Sequence, residues 1–355
     1  MSVLAINPGS TSTKIAVFAN SKIMFFKNIK HSVDELKGFK KITDQFEFRK
    51  NIIMNELKKV DYKMNQFEAI VGRGGLLKPI PSGVYEVNDE MIKDLKSSPI
   101  GEHASNLGGL IAQSIASELS GVKAFIADPV VVDELVDIAR ITGHPLIKKR
   151  SIFHALNHKA IARFHSKCIS RKYEDLNLII VHLGGGISVG AHLKGKVVDV
   201  NQGLDGDGPF SPERSGTLPM GDFAKLCFSG KYTLEQVKLM IKGEGGFAAY
   251  FGTNDAIEVE EMVNNGNSKA LLVFEAMAYQ VAKEIGAMSA VLLGKVDGIL
   301  LTGGIANNKW FVEQIIDRIA YIAPVSIYPG EDEMKALAQN AIMAINGELK
   351  VKKYT

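Results

Sequence analysis

At 355 residues the chain is long enough for about two domains, and 46% hydrophobic with 23% charged residues is the balance of a globular protein with a large buried core. Forty-two Lys and Arg against 39 Asp and Glu leave a formal charge of +3, too small and too evenly spread to point to a nucleic-acid partner. The two cysteines, Cys168 and Cys227, lack CxxC spacing, which argues against a disulfide framework and a cysteine zinc site and suits a reducing cytosol.

The N-terminus lacks a basic n-region and meets polar Asn7 and Ser10 after a short apolar run, so it does not read as a secretory signal. The most apolar stretch, Ala290 to Ala306, is broken by Lys295, Asp297 and several glycines, short of the ~20 apolar residues a bilayer needs. A soluble, cytoplasmic protein is the expectation.

The first apolar run, Val3 to Ile6, enters the polar turn Asn7-Pro8-Gly9-Ser10-Thr11-Ser12. Runs at Ile15 to Phe18 and Ile23 to Phe26, joined at Asn20-Ser21, complete a three-strand meander. Ala69-Ile70-Val71 then leads into Gly72-Arg73-Gly74-Gly75, Leu107 to Leu119 forms an apolar helical stripe after Ser105, and Ala124-Phe125-Ile126 ends at Ala127-Asp128-Pro129. About half a chain length after the first meander the pattern returns. Leu178 to Leu183, the turn Gly184-Gly185-Gly186, Ile187 to Leu193, a turn at Lys194-Gly195 and Lys196 to Val200 form a second meander. A longer apolar stripe from Leu271 to Leu292 precedes Gly298 to Leu301, which ends at Thr302-Gly303-Gly304, and Val325 to Tyr328 ends at Pro329-Gly330 and the acidic Glu331-Asp332-Glu333. Each half reads βββαβαβα. Two such α/β halves place a ligand site at the carboxyl ends of their strands, in a cleft between them.

Glycine turns leaving a strand expose backbone N–H groups to phosphate oxygens, and several such turns together outweigh the reading of each as a mere tight hairpin. Spacing excludes the common phosphate motifs. Gly9 to Lys14 lacks the second glycine of a P-loop, Val189 stands where a Rossmann turn wants its last small residue, and the protein-kinase motifs are absent. His154 and His158, four apart, have no third ligand cluster to make a zinc site.

Asn7 to Lys14, the Arg73 turn, Phe153-His154-Ala155-Leu156-Asn157-His158, His182 to Gly186, Arg214-Ser215-Gly216 and Thr302 to Asn308 together resemble the acetate kinase family of carboxylate phosphotransferases, over nearly the whole chain. That family belongs with sugar kinases, actin and heat-shock ATPases. The resemblance implies two duplicated ribonuclease H-like domains with an interdomain active-site cleft, a first half over 1–150 with the C-terminal helix 335–355 packed on it, and a nucleotide-binding half over 151–334. It implies reversible transfer of the γ-phosphoryl group of ATP to a short-chain carboxylate, ADP as the other product, Mg²⁺, and a homo-oligomer with no nucleic acid or membrane partner. Departures from the typical acetate kinase pattern, at Val71-Gly72-Arg73-Gly74-Gly75, at Phe153 to His158 and at Asp128-Pro129, favour butyrate over acetate, with propionate and branched acids as alternatives. An ATP-switched chaperone or filament module on the same scaffold is the alternative of another class.

The residue roles follow from the same resemblance. Arg73 lies against the substrate carboxylate, which a guanidinium binds with two parallel hydrogen bonds, and His103 is a second substrate contact. Arg214 and His154 serve the transferring phosphoryl group, and Asp128 orients His154 or Arg214. Asn7, Ser10, Ser12, Lys14, His182, Gly184, Gly185 and Gly186 are expected at the phosphates, and Gly303, Gly304 and Asn307 at the adenosine, where a helix starting near Asn307 aims its positive end. Asn7 with Glu333, or failing it Asp332, holds Mg²⁺ partly through water.

Overall fold

The computed structural model describes residues 2–330 and 332–355, which divide into two compact units, one of residues 2–132 and 332–355 and the other of residues 133–330. The strands in chain order are β1 (Ser2–Pro8), β2 (Ser12–Ala19), β3 (Lys22–Lys30), β4 (Phe67–Arg73), β5 (Val84–Glu86), β6 (Lys123–Ala127), β7 (Asn177–Leu183), β8 (Ile187–Leu193), β9 (Lys196–Val200), β10 (Gly298–Gly303), β11 (Val325–Pro329) and β12 (Val351–Lys352). The first sheet runs β12-β5-β6-β4-β1-β2-β3 and the second β11-β10-β7-β8-β9.

The duplication seen in the sequence is a duplication of topology. In each sheet an antiparallel meander (β1-β2-β3 and β7-β8-β9) continues through two parallel strands (β4, β6 and β10, β11). Both second hairpins turn through two residues with positive φ, Asn20 and Ser21 at 46° and 68° and Lys194 and Gly195 at 47° and 83°, the type I′ geometry whose twist matches the flanking strands. β1 and β7 lie inside their sheets and are buried almost end to end, whereas β3, at an edge, is largely exposed and carries Lys22, Lys27 and Lys30. The first sheet adds two strands that periodicity does not reveal: β5, antiparallel to β6, and the short β12 beside it.

Two apolar cores fill the units. Leu4, Ile6, Ile15 and Ile70 meet Leu107, Ile111 and Ile115 of the helix Asn106–Ser117 in the first. Ile179, Val181 and Leu301 meet Phe274, Met277, Val281 and Ile285 of the long helix Ser268–Val291 in the second. Met277 and Met288 are core side chains. Among the described residues no helix is long and apolar enough to cross a membrane.

The compact units divide at 132/133 and not at the 150/151 expected from the sequence. Residues 133–150 are tied into the second unit: Glu134 to Lys159 Nζ at 2.6 Å, Val136 N–H to Val198 O at 3.0 Å, and Lys149 Nζ to Asp199 at 2.7 Å. At the other end, Asp332 caps the helix Glu333–Ile345, which packs on β1 and β4, so the first unit resumes at 332.

β4 and the helix Asn106–Ser117 touch backbone to backbone. A Cβ on Gly72 would run into Gly108 C and O, and one on Gly108 into Arg73 O. Replacing Gly72 with alanine is therefore expected to cost about 3 kcal/mol or more, at the upper end for overpacking, because the obstacle is backbone and cannot rotate away. Urea unfolding should show a lowered midpoint at unchanged slope; a midpoint within error of the parent would show that the contact yields.

Candidate active site

In the first unit, three groups far apart in sequence converge at the carboxyl ends of β1 and β4. Asn7 Nδ2 donates to Glu333 Oε2 at 2.6 Å, and Arg73 Nη1 donates to the same oxygen at 3.1 Å and to Asn7 Oδ1 at 3.4 Å. Asn7 is buried, and Arg73 and Glu333 are partly exposed. Among the described residues Nη1 is the only nitrogen of Arg73 engaged. Nε and Nη2, one edge of the guanidinium fork, are left for an acceptor.

Of the acidic run, Glu333 faces this cluster, whereas Asp332 accepts from Lys335 N–H at 3.1 Å as the helix cap, and Glu331 lies outside the described residues. One carboxylate and one amide oxygen are hard ligands of the kind Mg²⁺ takes when phosphates and water complete its shell.

The turn from β1 to β2 is held by a residue that sequence reading missed. Arg49, on the helix Phe46–Lys59, is fully buried. Its Nη1 donates to Gly9 O, Ser12 O and Thr13 Oγ1 at 2.8, 2.9 and 2.9 Å, and its Nη2 to Ser10 O at 3.1 Å. Gln45 takes the remaining bonds, and burial pushes the Arg49 pKa down to about 10. The carbonyls of the turn are thus occupied by a cation, while Ser10 is exposed and Ser12 and Lys14 are partly so. A single Arg in a helix with no motif around it carries no sequence signal.

Asp128, also in the first unit, is buried at a φ of 38°. Its Oδ1 accepts from Ser82 Oγ at 2.7 Å and Gly83 N–H at 2.8 Å, bonds that hold the entry to β5. His103 Nδ1 accepts from Ser105 N–H at 3.2 Å and meets Ser105 Oγ at 2.8 Å, ahead of the helix Asn106–Ser117.

The second unit holds a cavity of about 1070 Å³ lined by Gly184, Gly185, Gly304, Asn307, Phe274 and Trp310, among others. Its wall includes the N-terminus of the helix Lys309–Ile319, which begins two residues later than expected, with Asn308 Oδ1 capping Phe311 N–H at 2.7 Å. Trp310 is half buried and stacks on Phe274 at 5.5 Å. Asn254, Asp255 and Glu260, also in the wall, come from a segment with no motif to mark it.

Three expected phosphate or adenosine residues stand back from that wall. Gly303 is packed on the Leu183 backbone, and Gly186 lies against the Arg214 guanidinium, which a Cβ there would strike. His182 is buried, bonds Asn157 Oδ1 through Nδ1 at 2.9 Å and stacks on His154 with ring centroids 3.9 Å apart. His154 is partly exposed at the start of the helix Ala155–Cys168.

Arg214 donates from Nη1 to Gly203 O, and its Nε is buried with no hydrogen-bond partner among the described residues. Burial, partly offset by the charges of Glu213 and Asp205, lowers its pKa. A buried, unpartnered N–H beside a glycine turn is a donor suited to an anion.

Two meander sheets with glycine turns and cationic groups at their strand ends define a duplicated α/β protein whose sites are suited to anions. The acetokinase family profile matches residues 141–346, and the chain belongs to that family. Butyrate kinase 2 of Clostridium acetobutylicum is 56% identical over 352 residues, 99% of each chain, and a probable butyrate kinase of Clostridium botulinum is 53% identical over the same share. The solved acetate kinase of Porphyromonas gingivalis superposes with a TM-score of 0.79 at 18% identity, covering 96% of this chain and 99% of that one, which shows the shared fold.

Proposed function

We propose that the protein transfers the γ-phosphoryl group of ATP to butyrate, reversibly, giving butyryl phosphate and ADP. The observation that carries this reading is the half-engaged Arg73, anchored through Nη1 to Glu333 and Asn7 with its Nε and Nη2 left for a carboxylate. Identity above 50% to two chains named as butyrate kinases supports the four-carbon acid. The same charge layout favours transfer over an ATP-driven conformational switch, which has no need of a carboxylate fork.

A carboxylate is already a nucleophile, so the site needs cations and positioned donors more than a base. One butyrate oxygen attacks the γ-phosphorus in line, the new C–O–P linkage forms, and the bond to the ADP oxygen breaks. Arg73 orients the acid and neutralises its charge. Arg214 and His154 donate to the transferring oxygens, Gly184 and Gly185 leave room for the phosphates, and the cavity at Gly304, Asn307 and Trp310 takes the nucleoside. Glu333 and Asn7 would hold Mg²⁺, which would supply charge neutralisation to the phosphates. Asp128, fixed by Ser82 and Gly83, and His103, fixed by Ser105, support the acceptor side.

Trapping of acyl phosphate by hydroxylamine, with ATP and a panel from acetate to valerate including isobutyrate, tests the reading. Butyrate is expected to give the highest kcat/KM. Acyl hydroxamate from none of the acids would end it, and a preference for acetate would correct the acceptor.

A further inference from the structure

Behind His154 the second unit contains a continuous chain of hydrogen bonds. His154 Nδ1 lies 3.0 Å from Ser188 Oγ, Ser188 Oγ lies 3.0 Å from His158 Nε2, His158 Nδ1 lies 3.2 Å from His192 Nε2, and His192 Nδ1 lies 2.6 Å from the Tyr173 hydroxyl. His158, Ser188 and His192 are fully buried and Tyr173 nearly so. The chain leads from the partly exposed His154 ring through β8 to the short turn Tyr173–Asp175 before β7.

We propose that Ser188, His158, His192 and Tyr173 are positioning residues that set the tautomer of His154, keeping its Nδ1 as acceptor and its proton on Nε2, where it donates to the phosphoryl group. This rests on the role given to His154 in the transfer reaction. Each interior imidazole uses both nitrogens. A neutral imidazole has one N–H and one lone pair, so a chain of neutral rings must run with a single polarity.

Neutrality follows from the surroundings. Burial and then the charge of neighbouring His182 hold His158 well below the usual histidine range, against an upward pull from the Ser188 backbone, with a lesser lowering by Lys159. Burial, His158 and Lys159 do the same to His192. The groups around the two rings are His154 and His182, Ser188, Tyr173, the edge of Phe153 and the Lys159 ammonium, whose own partners are Glu134 Oε2 at 2.6 Å and Gly195 O at 2.8 Å. The acid in this set, Glu134, is taken up by Lys159 and by Val197 N–H at 2.9 Å.

The polarity is decided at the Tyr173 end. A phenol O–H is a stronger donor than an imidazole N–H, and an imidazole nitrogen is a better acceptor than a phenol oxygen, so the 2.6 Å contact is assigned with Tyr173 as donor. With Tyr173 donating to His192 Nδ1, His192 donates from Nε2 to His158 Nδ1. His158 then donates from Nε2 to Ser188 Oγ, and Ser188 donates its hydroxyl proton to His154 Nδ1. The reverse polarity would put the His154 proton on Nδ1 and leave a lone pair on Nε2, facing a phosphoryl oxygen with no proton to give.

Long-range 1H–15N spectra of the whole chain labelled at its eight histidines, at pH 7.5 without substrates, read this directly. His154, assigned by the signal lost in His154→Asn, is expected to show an unprotonated Nδ1 and a protonated Nε2. Tyr173→Phe keeps the ring and removes the terminal donor. It should yield a mixture of His154 tautomers and lower kcat between about threefold and 30-fold, a fraction of the loss for deleting a transition-state donor, with KM for ATP and butyrate within twofold. Ser188→Ala, which cuts the chain next to His154, should do the same if the tyrosine variant proves insoluble. A wild-type His154 protonated at Nδ1 would overturn the inference, as would unaltered tautomer and kcat in both variants. The spectra need no turnover, so they test the relay even if butyrate proves not to be the acceptor.

Discussion

Replacement of Arg214 by alanine is expected to lower kcat by about 10² to 10³, the usual cost of removing one donor from developing charge in a transition state. The geometry supports an effect on the chemical step. Nη1 is fixed to Gly203 O, the guanidinium lies against Gly186, and the buried Nε has no acceptor among the described residues. A buried donor left unsatisfied costs roughly 1–3 kcal/mol, a penalty that an incoming phosphoryl oxygen would remove. KM for ATP should move much less than kcat, because the charge Arg214 meets is largest during transfer. Steady-state hydroxamate kinetics decide the matter, with a thermal melt to exclude a folding defect. Wild-type turnover in a folded Arg214→Ala protein would leave Arg214 as a prop for the Gly203 carbonyl.

Arg73→Lys should separate the two substrates. Lysine keeps the charge and can still reach Glu333, but it cannot offer two parallel N–H donors to a carboxylate. KM for butyrate is expected to rise about 10- to 100-fold, a loss of about 1.4 kcal/mol for each factor of ten, while KM for ATP stays within twofold. Equal rises in both would remove Arg73 from the acid and assign it to holding Glu333 and Asn7. Arg73→Ala should be worse than Arg73→Lys for a second reason: Glu333 then loses the cation 3.1 Å away, and Asn7 loses one of the groups that fix its amide.

Much of the fold was legible because it is repeated. Two meanders with matching turns at Asn20-Ser21 and Lys194-Gly195 announce themselves by period-two apolar runs and by residues that tolerate positive φ. Two apolar stripes give the helices Asn106–Ser117 and Ser268–Val291. β5 and β12 escaped notice because strands of three and two residues are too short for a periodicity. The division of the chain was misplaced because 133–150 has no regular pattern and is claimed for the second unit by individual pairings such as Glu134 with Lys159.

By itself the sequence determined the duplicated α/β plan, since backbone periodicity and turn chemistry are local properties, and the resemblance of its motifs pointed to the family, to Asn7, Arg73, His154 and Arg214 as candidates, and to Glu333 with Asp332 as the alternative. Only the tertiary structure decided what those residues touch. Arg73 and Glu333 are 260 positions apart and meet because the helix Glu333–Ile345 packs on β1 and β4. Arg49 becomes the support of the β1–β2 turn because folding buries it among carbonyls. The spacing of His158, Ser188, His192 and Tyr173 gives no hint of a chain. A hydrogen-bonded relay exists only once β8 lies beside the helix Ala155–Cys168 and excludes the water that would otherwise take each proton, because hydrogen bonds between distant residues depend on distance and burial, which no local pattern encodes.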